Sequence, residues 1–267
     1  MKKTLILLIL LSSAFTLLAN GWHITTRYYN LPVGQRNSRT EEVFLYKGFM
    51  KMVNGNLTTV FDLSKGEIIY INTENKTYWK GNPKRFNTEV RAELEAQIEE
   101  KLYGVEKEQQ DAMRAMYKEM IDASFPNATE PEVRAKNFVV RKEKEGENIS
   151  GFNAVRYLVT EEGLPLEKIW ISPDLLVSRD FDFISLSHFL NLLAQGAYAA
   201  SFESSQEYFK LLEQGYPVKV EINRASGTQI SEVISAKSVT LNASDFSVPA
   251  GYSPTTLTSV GVWDGYM

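Results

Sequence analysis

Between residues 24 and 80, apolar and polar side chains alternate in short runs broken by turn formers. Period-two alternation rich in aromatic and β-branched residues is the pattern of strands that bury one face. It predicts strands at 24–29, 42–46, 49–53, 57–63, 67–72 and 76–80. Asn54-Gly55 predicts a two-residue hairpin turn, because both residue types tolerate positive φ. Ser64-Lys65-Gly66 and Glu74-Asn75 turn the later pairs, and Asn82-Pro83 ends the rhythm.

The period then changes. Val90, Leu94, Ile98 and Leu102 recur every fourth residue with glutamates between them, which predicts an amphipathic helix capped by Asn87 or Thr88. Beyond Gly104 a second stripe, Met113, Met116, Tyr117, Met120 and Ile121, predicts another helix that stops at Phe125-Pro126. Alternation resumes at 138–143, 152–160 and 166–172. A second helical insertion, 173–214, carries the stripes Leu186, Phe189, Leu190, Leu193 and Tyr208, Leu211, Leu212. The final strands are expected at 216–223 and 229–241, with the core ending at 246–252.

The pattern predicts an α+β fold: a curved antiparallel sheet, a half-open barrel, of about nine to eleven strands with two inserted helical pairs at 86–125 and 173–214. No linker rich in Pro, Gly or Ser divides the chain, so residues 20–252 are expected to form a single domain and 253–267 a loose tail holding Trp263.

Residues 1–19 set the compartment. Lys2 and Lys3 precede an apolar run from Thr4 to Leu18 that ends at the small residue Ala19, the layout of a cleaved export signal. The expectation is a periplasmic or secreted protein with no stable membrane anchor after cleavage. The chain has no cysteine, which removes disulfides, thiol nucleophiles and a lipidated N-terminal cysteine together. The formal charge is −4 over 267 residues, and loss of Lys2 and Lys3 with the leader deepens it. With no basic stretch free of acids, nucleic acid is not an expected partner; Arg141 to Glu147 reads as a mixed, solvated run. From 89 to 122 ten acids stand against five bases, which gives the first helical pair an acidic outer face.

Little points to catalysis. There is no Gly-x-Ser-x-Gly elbow, phosphate loop or zinc spacing, and the two histidines are His23 and His188. His188 is expected to be a hydrogen-bonded, partly buried helix residue. Cleavage after Asn20 would leave Gly21-Trp22-His23 at the terminus, an arrangement able to bind Cu(II) through amine, amides and imidazole. Asp180 and Asp182 read as solvated surface. No cofactor or metal is expected. What remains is an aromatic and methionine content suited to an apolar ligand between sheet and helices, and Tyr70, Trp79, Met113, Met116, Met120 and Trp170 are the candidate ligand-binding residues.

Several short motifs fall in order along the chain: Tyr46-Lys47-Gly48, Met50-Lys51-Met52, Thr59-Val60-Phe61-Asp62-Leu63, Lys76-Thr77-Tyr78-Trp79, Ile149-Ser150-Gly151-Phe152, Ile169-Trp170-Ile171-Ser172, Gly215-Tyr216-Pro217-Val218 and Phe246-Ser247-Val248-Pro249-Ala250-Gly251-Tyr252. In these the chain resembles a bacterial exported family catalogued as domain of unknown function 4412. The succession of strands and inserted helices also resembles the periplasmic lipoprotein carriers, of Lol type. That resemblance implies a half-open barrel around an apolar groove, a non-enzymatic role, and a lipid, lipoprotein acyl chain or other apolar ligand as partner. The other expectation is an envelope protein that docks a protein partner through its acidic helices or an edge strand.

Overall fold

The computed structural model describes residues 20–32, 34–124, 136–193, 201–224 and 227–261. The expected leader, the Phe125-Pro126 stop and Trp263 lie outside them. Twelve strands form one open sheet among the described residues, one more than the upper end of the expected range. They are β1 (Gly21–Leu31), β2 (Gly34–Tyr46), β3 (Phe49–Asn54), β4 (Leu57–Asp62), β5 (Glu67–Asn72), β6 (Thr77–Gly81), β7 (Phe138–Ile149), β8 (Phe152–Glu161), β9 (Leu164–Ser172), β10 (Tyr216–Arg224), β11 (Gly227–Val239) and β12 (Ser253–Pro254). The order across the sheet is β12-β6-β5-β4-β3-β2-β1-β11-β10-β9-β8-β7. Every pairing is antiparallel except the two-residue β12 against β6. The expected α+β sheet with inserted helices is therefore what the chain forms.

Turn chemistry fixes the register. Ser150-Gly151 and Glu162-Gly163 both adopt positive φ and close the β7-β8 and β8-β9 hairpins in two residues each. The β3-β4 turn is shifted by one from expectation: Asn54 pairs with Leu57, and the loop is Gly55-Asn56 with Gly55 at φ 57°. A lone positive φ at the first loop position is what a glycine there supplies.

Helices α1 (Pro83–Leu102), α2 (Lys107–Ser124), α3 (Phe183–Leu193), α4 (Gln206–Gln214) and α5 (Leu257–Val260) complete the described fold. The first begins earlier than Asn87 or Thr88 would have it. Asn82 is the cap, its side chain accepting from the Arg85 amide at 2.8 Å, and Pro83 occupies the first turn, where its missing N–H costs nothing.

Strand alternation distributes the core over both faces of the sheet. Ile68 and Tyr70 join a large cluster with Trp79, Phe86, Val90, Leu186 and Phe189, so α1 and α3 cover this face. Ile69 and Ile71 point the other way, to Leu241 and Phe246. In β9, Trp170 faces the large cluster, whereas Ile169 and Ile171 pack with Phe138, Phe202 and Leu211 beneath α4. Continuous apolar runs such as Ile68-Ile69-Tyr70-Ile71 are thus strands buried on both sides.

The chain beyond Ser253 is docked as far as Gly261, contrary to a loose tail. The Ser253 amide donates to the Lys76 carbonyl at 3.0 Å, and that of Thr255 to Tyr78 at 2.8 Å. Leu257 and Val260 are wholly buried in the main core. The carboxylate of Glu93 receives the amides of Leu257 and Thr258 at 3.1 and 2.7 Å, capping α5 from a neighbouring helix.

Candidate functional site

The six residues proposed from sequence do not form one site. Tyr70 and Trp79 meet, with ring centroids 6.1 Å apart, but Phe86 of α1 completes the stack at 5.8 and 5.9 Å from them. Trp79 Nε1 donates to Glu89, and Arg85 lies over its ring. Between sheet and helix this space is filled by aromatic side chains. Trp170 is buried in the same cluster, at the edge of a charged row. Register sets Arg156, Trp170 and Lys219 side by side; Lys219 Nζ lies 4.6 Å and Arg156 Cζ 5.9 Å from the Trp170 ring centroid. Trp170 Nε1 donates to Glu147 Oε2 at 3.0 Å.

The methionines lie elsewhere. α2 rests on α1 through buried Ile121, an Arg91–Asp122 pair at 2.7 Å and a two-pronged Arg114–Glu99 contact at 2.7 and 2.9 Å. Met113 is half-buried, but Met116 and Met120 are 50% and 59% exposed, so the stripe does not face the sheet. The sequence pattern merged two helix faces. Ile121 belongs to the face turned to α1, and Met116 and Met120 belong to the face turned away from it.

An open cleft with a volume of about 620 Å3 is assembled from segments far apart in sequence. Its lining includes Lys47, Arg179, Phe181, Phe183, Ile184 and Phe209. Lys47 sits in the β2-β3 turn at φ 51°, and its backbone bridges to that of Phe181. After β9 the chain makes a short 3₁₀ turn, Val177–Arg179, anchored by buried Val177 and by Ser178 Oγ donating to the Leu212 carbonyl of α4 at 2.8 Å. Buried Phe181 stacks edge-on against Phe183 at 5.0 Å, and Phe183 leans on Tyr216. Burial pushes the Tyr216 phenol up to about 12, so it stays neutral behind Phe183.

The polar groups around this cleft divide into spent and available ones. Asp180 accepts from Trp22 Nε1 at 2.8 Å. Asp182 caps α3, accepting from the Ile184 and Ser185 amides at 3.0 Å each and from Ser185 Oγ at 2.7 Å. The Ser185 hydroxyl and amide hold the Asp182 carboxyl below the usual carboxylate range. Both aspartates are solvent-exposed, as expected, and each also holds local structure through these hydrogen bonds. Lys47 and Arg179 enter no ion pair among the described residues; the Lys47 ammonium lies 5.1 Å from the Tyr46 ring centroid, and exposed Glu213 is a third carboxylate in the lining. Ile184 is 65% exposed at the mouth. Of these residues the sequence flagged none as ligand-binding, although Ile184 could have been noticed as an apolar residue off the Leu186–Leu193 stripe.

Both histidines are accounted for without chemistry. His23 stacks on Phe44 at 4.3 Å and contacts Glu42 at 2.9 Å. It lies with Gly21 and Trp22 in β1, between β2 and β11, so the backbone amides a copper site would need are engaged in the sheet. His188 is exposed on α3, not partly buried. No group of three or more metal-ligating side chains occurs among the described residues. No described helix is long and apolar enough to cross a membrane.

No curated protein matches the chain. Similar solved structures include PNGF-II in a C2 crystal form, at 10% identity and TM-score 0.36, covering 90% of this chain and 32% of that one. The chain thus spans about a third of the length of PNGF-II. The MucA/MucB complex of Pseudomonas aeruginosa is similar at 10% identity and TM-score 0.36, with 86% and 56% covered. The LolA superfamily protein NE2245 of Nitrosomonas europaea is similar at 7% identity and TM-score 0.28, with 86% and 90% covered. Residues 87–252, from α1 through β11 to Tyr252, match the family described as Domain of unknown function (DUF4412), and the chain belongs to that family.

Proposed function

We propose that this protein is an exported, non-enzymatic binding module that takes an apolar ligand with a polar head, such as a lipid or the acyl chain of a lipoprotein, in the cleft between Lys47 and α4. The observation that carries this is the cleft's construction: an aromatic floor of Phe181, Phe183 and Phe209, an exposed Ile184 at its mouth, and two cations, Lys47 and Arg179, outside any ion pair of the described residues. Its volume falls within the range of roughly 300 to 1,000 Å3 typical of small-molecule sites. The apolar floor supplies most of the binding free energy, at about 25 cal/mol per Å2 buried, and the cations orient the head group. The ligand's place differs from the sheet–helix groove expected from sequence, because Phe86 and Phe189 occupy that space. The leader at 1–19 supports a periplasmic location.

The test is a titration of delipidated protein with a fluorescent fatty acid. Saturable binding is expected, and Ile184→Asp should weaken it at least tenfold with little change in melting temperature, since Ile184 is already exposed. Absence of saturable binding, or equal binding by the Ile184→Asp variant, would remove this reading. Native mass spectrometry of protein from its own compartment adds a second check: copurified lipid is expected, and a bare mass counts against a carrier.

Docking through the edge strand, the other expectation, is opposed by the edge itself. β7 ends the sheet, and its run Arg141-Lys142-Glu143-Lys144-Glu145 is charged and broken by two register shifts, features that discourage strand addition.

A further inference from the structure

We propose that the outward face of α2 is a docking surface for a basic amphipathic helix of a partner protein. The orientation of α2 is fixed by its contacts with α1: Ile121 is buried there, Asp122 pairs with Arg91, and Arg114 grips Glu99. A helix turns about 100° per residue, so Met116 and Met120 project away from that contact, with half-buried Met113 at the edge of the same stripe. The exposures agree, with Met116 and Met120 half or more open to solvent. Tyr103, at the bend between the two helices, is also 91% exposed. Isolated apolar residues on a surface need no explanation, but an aligned methionine stripe on one helix face is a patch.

Charge selects the occupant. Glu108 and Glu119 are exposed, lie on the flank of the methionine stripe by helix phase, and enter no ion pair among the described residues. Of the nearby bases, Arg114 is committed to Glu99 and Asp111 and Arg91 to Glu95 and Asp122, while exposed Lys107 and Lys118 fall by helix phase on the side turned to α1, away from the stripe. The face is therefore apolar in the middle and negative at its border. A second copy of this chain would set acid against acid, and an anionic membrane surface would be repelled for the same reason. A helix with leucines on one side and lysines or arginines beside them matches both features. It would lie across the stripe with its cations over Glu108 and Glu119. Methionine suits such a surface because its unbranched side chain repacks around different apolar partners.

The probe is a fluorescein-labelled 18-residue helical peptide of leucine and lysine, titrated against the whole protein and followed by anisotropy. Saturable binding is expected, at least tenfold weaker in 500 mM than in 50 mM salt. Met116→Glu with Met120→Glu should abolish it; Met116→Leu should retain it. If the glutamate variant melts early, Met116→Gln with Met120→Gln tests the same face without added charge and should weaken binding at least tenfold. Glu108→Lys with Glu119→Lys should remove the salt dependence. The Ile184→Asp variant should bind the peptide normally, which keeps this inference separate from the ligand cleft. The proposal is overturned if no saturable binding occurs, or if the Met116/Met120 variants bind as well as wild type. It is equally overturned if the face serves another surface: dimers in sedimentation that Met116→Glu dissolves, or association with phosphatidylglycerol vesicles that the same change removes.

Discussion

Above about pH 8, replacing Glu167 with glutamine is expected to stabilise the protein by about 4 to 5 kcal/mol. Glu167 is only 5% exposed in β9, set by register between Val159 of β8 and Ile222 of β10, and it makes no hydrogen bond among the described residues. It faces a small cavity with Glu203, Ser201 and Phe202; of the nearby cations, Lys136 is bound to Glu161 at 2.6 Å, and Arg224 is exposed. Burial, and then the charge of Glu203, push the Glu167 carboxyl from 4.5 up to about 8. The folded state thus holds a proton that the unfolded chain releases. Below pH 4.5 both states are protonated and the group is neutral in its effect. Between 4.5 and 8 the unfolded state binds fewer protons, so stability falls as pH rises, by about 1.4 kcal/mol per pH unit at the steepest. Glutamine keeps the neutral shape and removes this loss. Urea midpoints of wild type and Glu167→Gln should coincide near pH 4.5 and diverge towards pH 8.5; parallel profiles would show that Glu167 ionises freely. Other carboxylates act oppositely: Glu232, although partly desolvated, is held below its usual range by Ser150, Arg27 and Tyr29, so the stability it adds is lost on acidification.

Trp170→Ala is expected to cost about 3 to 5 kcal/mol, the usual loss for a large buried aromatic. For a domain of this length that is a fall of roughly 10 °C in melting temperature, at about 2 to 4 °C per kcal/mol. The ring is buried, holds Lys219 and Arg156 over its faces, and donates to Glu147. Trp170→Phe keeps the packing and loses the Nε1 bond, about 1 kcal/mol. Trp170 does not line the cleft beside Lys47, so under the proposed function fatty-acid affinity should survive both changes when measured well below the melting transition. The reverse result, lost binding with an unchanged melting temperature, would make Trp170 a ligand wall instead.

Strands were legible wherever one or both faces are buried. Ile68 to Ile71 and Ile169 to Ile171 announce themselves because burial forces apolar residues into them. The early part of β2 and the second half of β7 were not legible. Their residues are polar on both sides, and cross-strand pairs such as Glu147 with Arg156 at 3.6 Å hold the latter, a contact that leaves no periodicity in a single sequence. Helix positions followed from the four-residue spacing, but the direction in which α2 faces did not. A stripe reports that some face is apolar; it is the Arg91–Asp122 and Arg114–Glu99 pairs that decide which side meets α1. The cleft was illegible for a topological reason. Lys47 and Phe181 come together only because the β2-β3 turn and the segment after β9 reach the same end of the sheet.

The position of β1 governs how the chain must assemble. The sheet consists of two meanders, β1 to β6 and β7 to β11, whose strands pair with sequence neighbours, joined by a seam of β1 on β11 that spans nearly the whole chain; the two-residue β12 on β6 is the other long-range pairing. Neighbouring hairpins close cheaply and quickly, whereas the seam requires ends some two hundred residues apart to meet. Until Gly227–Val239 is available, β1 has a partner on one side and an open edge on the other. Pairing of Asn20 with Leu241, at 2.8 and 3.1 Å, then zips the far end. Closure of that seam therefore carries the largest loop-closure cost in the sheet, and until it forms the N-terminal meander presents β1 as an open edge.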